Sequence, residues 1–311
     1  MPSFRSRLFT FALKNRHLLQ GRWKPTATIT WETSIPNLRQ ETGKGSGLMG
    51  KLPEKLQVTP FTIGEMNALW LLPSPQAIKD KVILYFHGGG YVIGSAHGHL
   101  PITAKFVLGS DTGALLFDYR LAPEHPFPAG LEDALSAYRY LLGQGIHPDR
   151  IVFMGDSAGG GLCLATLLAA RDQGLPLPAA AVALSPWTDL KNTGESYETN
   201  AKVDTLTWRE SQVVFSKYYV GEQDPGQPWI SPLYGDLRGL PPLLIFVGGD
   251  ELLRDDSTRF AEKAQQAGVE VTLRVGAGMF HCYPACAPAF PEATQALEEI
   301  CGFIRAKINH G

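Results

Sequence analysis

Short uninterrupted apolar runs recur along the chain, separated by longer stretches whose apolar residues return every three or four positions. The runs at 81–86, 114–118, 151–154, 180–184 and 242–247 have no polar alternation, as expected of strands buried on both faces. A further strand is expected at 269–275. Between them, helical spacing predicts helices at 128–142, after residue 157, at 257–266 and at 292–307, with a helical patch at 206–219. Upstream, residues 57–63 and 68–72 alternate as strands around a turn containing Gly64, which predicts a hairpin. Alternating strands and helices with apolar strands define an α/β architecture, a mostly parallel central sheet flanked by helices. Residues 190–235 break the alternation, and with the N-terminal segment they read as a helical cap over the carboxyl edge of the sheet, where such folds bind ligands.

The expected division is residues 1–55 as an N-terminal cap helix and connector, and 56–311 as the catalytic domain with its cap insertion at about 190–235. In the first segment, residues 4–24 carry six Lys or Arg and no acid precedes Glu32. Phe4, Leu8, Phe11, Leu18 and Leu19 fall near one face, so the helix is expected to dock that face on the domain; a membrane-surface helix or a transit peptide is the alternative. The run 8–13 is too short to span a bilayer, and no transmembrane segment is expected. Gly43-Lys44-Gly45-Ser46-Gly47 reads as a flexible connector. A net charge of −2, with 44% apolar residues, offers no electrostatic case for nucleic acid. Four cysteines in 311 residues suit a reducing, cytoplasmic location. His281-Cys282 with Cys286 has no second ligand pair to support a metal site.

The chemistry centres on Gly155-Asp156-Ser157-Ala158-Gly159, which lies between an apolar strand and an Ala- and Leu-rich helix. This is the nucleophile-elbow pattern: the serine stands at the tip of a sharp turn, and glycines spare the neighbouring strand and helix a collision. A serine hydroxyl needs a base, and in this fold type acid and histidine follow it in that order. Downstream, only His281 and His310 exist, and His310 is the penultimate residue. Asp250, the first acid after the run 242–247, is the expected partner of His281. It is preferred over Glu251, which points away if strand alternation persists, and over Asp255 and Asp256, which are placed to cap a helix. Gly88-Gly89-Gly90, after an earlier strand, can offer N–H groups to an oxyanion together with Ala158. Trp187 and Leu206 are expected pocket walls by position. His87, His97 and His99 are expected to brace loops.

His87-Gly88-Gly89-Gly90, Asp118-Tyr119-Arg120-Leu121-Ala122-Pro123-Glu124, the Ser157 elbow and Pro241-Pro242 together resemble the hormone-sensitive-lipase family of bacterial carboxylesterases, over roughly residues 55–305. The resemblance implies an α/β-hydrolase fold with a helical cap, and a serine carboxylesterase cleaving short- to medium-chain acyl esters through an acyl-enzyme, without a cofactor. It points to Gly89 and Gly90 with Ala158 as oxyanion donors and Gly88 as support. Two departures stand out: Glu251 where many relatives have proline, and Cys282 where glycine is common. The implied partners are a small-molecule ester and water, with no nucleic acid; homodimerisation is left open. A lactone hydrolase or deacetylase using the same residues remains open, as does a non-catalytic module binding a small ligand.

Overall fold

The computed structural model describes residues 2–15, 28–46, 52–76 and 79–309; Leu18, Leu19 and His310 lie outside them. Helices α1 (Phe4–Lys14) and α2 (Ile35–Ser46) precede the hairpin β1 (Gln57–Ile63) and β2 (Met66–Leu72). Then follow β3 (Val82–Phe86), α3 (Ala96–Ser110), β4 (Gly113–Phe117), α4 (Ala129–Gly143), β5 (Ile151–Asp156), α5 (Ala158–Asp172) and β6 (Ala180–Leu184). Two helices, α6 (Ser196–Thr199) and α7 (Arg209–Val220), fill the irregular stretch before β7 (Leu243–Gly248), α8 (Arg254–Gln266), β8 (Val271–Gly276) and α9 (Pro291–Asn309).

The eight strands form one sheet in the order β1-β2-β4-β3-β5-β6-β7-β8, antiparallel at the β1–β2 and β2–β4 pairs and parallel elsewhere. The apolar runs are buried on both faces. In β3, Val82, Leu84 and Phe86 join one core cluster while Ile83 and Tyr85 join the other, on the opposite side of the sheet. Because the strands from β3 to β8 run parallel, their carboxyl ends gather at one edge, and register puts Phe86 beside Gly155 and Asp156 beside Leu184 there.

One helix has no counterpart in the hydrophobic pattern, and two expectations need correction. Helix α3 had no amphipathic signal, because it is buried through most of its length and carries Pro101 in its first turns. The glycines at 43 and 45 do not form a connector, since α2 continues to Ser46. In α1 the expected docking face is the exposed one: Phe4, Leu8 and Phe11 face outward, while Ser6 is buried and Phe9 and Leu13 pack on the core. No described helix is long and apolar enough to cross a membrane.

Candidate active site

Each strand from β3 to β8 that ends at the carboxyl edge, β4 apart, delivers one part of the site. Ser157 follows β5 with φ 56° and ψ −125°, a strained conformation rare for a side-chain-bearing residue. The strain is held by hydrogen bonds on both sides: Ser157 N–H donates to Leu184 O at 2.8 Å, and Ser157 O accepts from Trp187 N–H and Gly161 N–H at 3.0 Å. Close packing explains the elbow glycines. A Cβ on Gly159 would stand 2.1 Å from Phe86 O, so only glycine lets α5 start against β3.

The loop after β3 faces the serine. Gly88 N–H donates to Asp156 Oδ1 at 3.1 Å, so this amide is engaged and Gly88 is not an oxyanion donor, contrary to its grouping with Gly89 and Gly90. The amides of Gly89 and Gly90 have no acceptor among the described residues, and Ala158 N–H belongs to the first turn of α5, where a helix leaves its amides free. Gly89 and Gly90 have φ of 124° and 63°, and a Cβ on Gly90 would meet the Phe215 ring at 2.2 Å. Phe215 and Tyr219 of α7 lie over this loop; Tyr219 stacks on Tyr91 with centroids 3.8 Å apart. From below, buried His87 bonds Gly88 O through Nδ1 at 2.9 Å and stacks on Tyr119 at 4.2 Å. Burial, then neighbouring His99, pushes its pKa down to about 3, so it stays neutral. His99 sits 3.7 Å from Asp156, whose Oδ1 also accepts from Tyr85 at 2.8 Å. His97 is exposed.

His281 follows β8, and its partner is Glu251, not Asp250. The His281 Nδ1 to Glu251 Oε2 distance is 2.5 Å, and Glu251 is fully buried. The other carboxylate oxygen accepts from Gly248 N–H and Ser185 Oγ, each at 2.7 Å. Ser185, at φ 47°, in turn accepts from Cys282 N–H at 2.9 Å, which ties the ends of β6, β7 and β8 together. The Asp250 carboxylate makes no hydrogen bond among the described residues and stays partly exposed; only its N–H is engaged, with Met279 O at 3.0 Å. The reason is local. Strand β7 ends at Gly248 and the chain turns at once, so alternation does not extend to 251, and the turn folds Glu251 back beneath the strand end. Burial opposes charging of His281, but the Cys282 sulfur and the Glu251 carboxylate outweigh it, and the His281 pKa stands well above its usual value.

Asp255 and Asp256 also differ from expectation. Neither caps α8, whose N-cap Leu253 has no side-chain cap bond. Asp255 Oδ2 accepts from Ser196 N–H at 2.8 Å, and Asp256 Oδ1 accepts from Thr188 and Asp189 N–H at 3.0 and 2.8 Å. Asp204 Oδ2 accepts Leu252 N–H at 2.8 Å, so the 190–235 segment is fastened to the loop bearing Glu251.

Ser157, His281, Gly88, Gly89 and Gly90 line one cavity of about 650 Å³, with Trp187 and Leu206 in its wall. A half-buried serine on an elbow, a histidine oriented by a buried carboxylate and a loop of free amides are the parts of a serine hydrolase on an α/β fold. Comparison with known proteins agrees. A family model described as alpha/beta hydrolase fold matches residues 83–285. An acetyl-hydrolase of Streptomyces hygroscopicus is 42% identical over 250 residues, 80% of this chain and 83% of that protein. An esterase of Acinetobacter venetianus is 39% identical, covering 73% of this chain and 76% of its own. Among solved structures, an esterase of the bacterial hormone-sensitive lipase family superposes with a TM-score of 0.89 at 40% identity, over 99% of both chains. The chain belongs to this hormone-sensitive-lipase family of α/β-hydrolases.

Proposed function

We infer that the protein is a serine carboxylesterase working through an acyl-enzyme. Ser157 Oγ attacks the ester carbonyl as His281 takes its proton through Nε2. Glu251 accepts the Nδ1 proton's hydrogen bond and stabilises the imidazolium. The N–H groups of Gly89, Gly90 and Ala158 receive the oxyanion. His281 then protonates the departing alcohol and activates water for deacylation. The observation that carries this reading is the 2.5 Å contact of His281 with the buried Glu251, at the rim of the cavity that also holds Ser157.

The substrate class follows from the cavity wall. Its charged members are engaged: Arg39 pairs with Glu124 at 2.7 Å and donates to Val92 O and Ala122 O, and Asp156 is held by Tyr85 and Gly88. Ile93, Ile102, Leu206, Phe215 and Trp187 supply an apolar lining. Uncharged esters of short to medium acyl chains fit this wall, and the name of the Streptomyces relative supports the short end. Helix α2, through Arg39 and Thr42, and residues 190–235 act as the cap, with Trp187 and Leu206 bounding the acyl group. Four free thiols support a reducing cytoplasmic setting.

A series of p-nitrophenyl esters from acetyl to dodecanoyl tests the proposal. The expected kcat/KM peaks among the short and medium chains, and Ser157→Ala abolishes turnover at every length. A maximum at dodecanoyl overturns the chain-length assignment; a folded Ser157→Ala protein with near-normal turnover overturns the mechanism.

A further inference from the structure

Helix α1 is anchored on one side only. Phe9 stacks on Phe280 at 5.7 Å and packs against Phe290 at 5.3 Å, and Leu13 joins the same cluster. Ser3 and Ser6 clasp Glu292 at the start of α9. The opposite side carries Phe4, Leu8 and Phe11, spaced by four and three so that they form one line along the helix. They are 76%, 57% and 66% exposed. At about 100° per residue, Arg7 and Lys14 fall on one flank of that line and Arg5 on the other. All three cations are exposed, and none meets a carboxylate among the described residues. Apart from Val275, the exposed large hydrophobics Phe4, Leu8, Phe11, Trp31, Val203 and Val213 all belong to the N-terminal segment or the 190–235 insertion.

An apolar line flanked by unpaired cations, on a helix whose other face is already fixed, matches an anionic lipid surface: the apolar groups enter the acyl boundary while the cations meet headgroups. A second copy of the chain fits less well, since a two-fold interface brings the same surface against itself and sets cations against cations. We propose that α1 is a surface anchor that docks the protein on anionic membranes. Phe9 joins this anchor to Phe280, next to His281, so the docked side is the one that carries the catalytic histidine loop.

Vesicle sedimentation of the full chain tests the anchor, using phosphatidylcholine alone and phosphatidylcholine mixed with phosphatidylglycerol. Binding is expected only to the anionic vesicles and is expected to weaken as salt rises. Phe11→Asp should lower partitioning about tenfold or more, and Arg7→Gln roughly fivefold, the loss of one interfacial charge. Both variants should hydrolyse a soluble ester like the parent, which certifies their fold. Absence of vesicle binding by the parent, or equal binding by parent and variants, overturns the proposal. So does a dimer that Phe11→Asp disperses without any binding to vesicles.

Discussion

Replacing Glu251 by glutamine isolates the role of the buried carboxylate. The side-chain oxygen of Gln can still accept from Ser185 Oγ and Gly248 N–H, the two bonds that fix the Glu251 end of the loop. What changes is the group facing His281 Nδ1. An amide NH₂ there donates rather than accepts, so the imidazole must carry its proton on Nε2, the nitrogen that has to receive the Ser157 proton. In a serine protease the corresponding acid-to-amide change costs about 10⁴ in kcat, or ~5 kcal/mol of barrier. Folding should lose at most one hydrogen bond to a charged group, about 1.5–3 kcal/mol. Asp250→Asn, altering a carboxylate without a hydrogen-bond partner among the described residues, should change kcat by less than about threefold, within the range of a surface substitution. The assay is steady-state hydrolysis of p-nitrophenyl butyrate by both variants, with thermal melts to confirm folding. A larger loss of kcat in Asp250→Asn than in Glu251→Gln would refute the assignment.

Other outcomes follow from the same geometry. His281 acts as a base only when neutral, and its pKa is raised; kcat/KM should therefore fall on the acid side with a midpoint above the ordinary histidine value, and Glu251→Gln should move that midpoint down. An unmoved midpoint counts against the pairing. Gly90→Ala forces a side chain into φ 63° and onto the Phe215 ring, so kcat should drop by about 10²–10³, the usual loss for one oxyanion donor; a variant with normal kcat would remove Gly90 from the site.

The parts of the molecule that were legible in the sequence are those where one physical demand dominates. The inner strands of the parallel sheet, β3 to β7, are buried on both faces, and their unbroken apolar runs mark them to within a residue or two. The elbow was legible because backbone crowding around Gly159 admits no side chain. The acid was not. Choosing Asp250 over Glu251 assumed that strand alternation continued past Gly248, and a turn invisible to periodicity reverses the two side chains. Helix α3 was hidden for a related reason: with Leu100, Ala104, Phe106 and Val107 buried along with Thr103 and Ser110, it has no polar face to create a period. In α1, apolar residues lie nearly all round, so spacing alone could not tell the docked line of Phe9 and Leu13 from the exposed line of Phe4, Leu8 and Phe11. Ser185 gave no signal at all, since its importance comes from bridging three strand ends that are distant in sequence.

The central claim is that Ser157 forms the covalent intermediate. The most direct test is to inactivate the protein with p-nitrophenyl diethyl phosphate and map the adduct by mass spectrometry after trypsin digestion. One phosphoryl group per chain is expected, located on Ser157 within the peptide from Ile151 to Arg171, with label uptake matching loss of activity. Inactivation with the label on any other residue, or sustained hydrolysis by a protein fully labelled at Ser157, would contradict it.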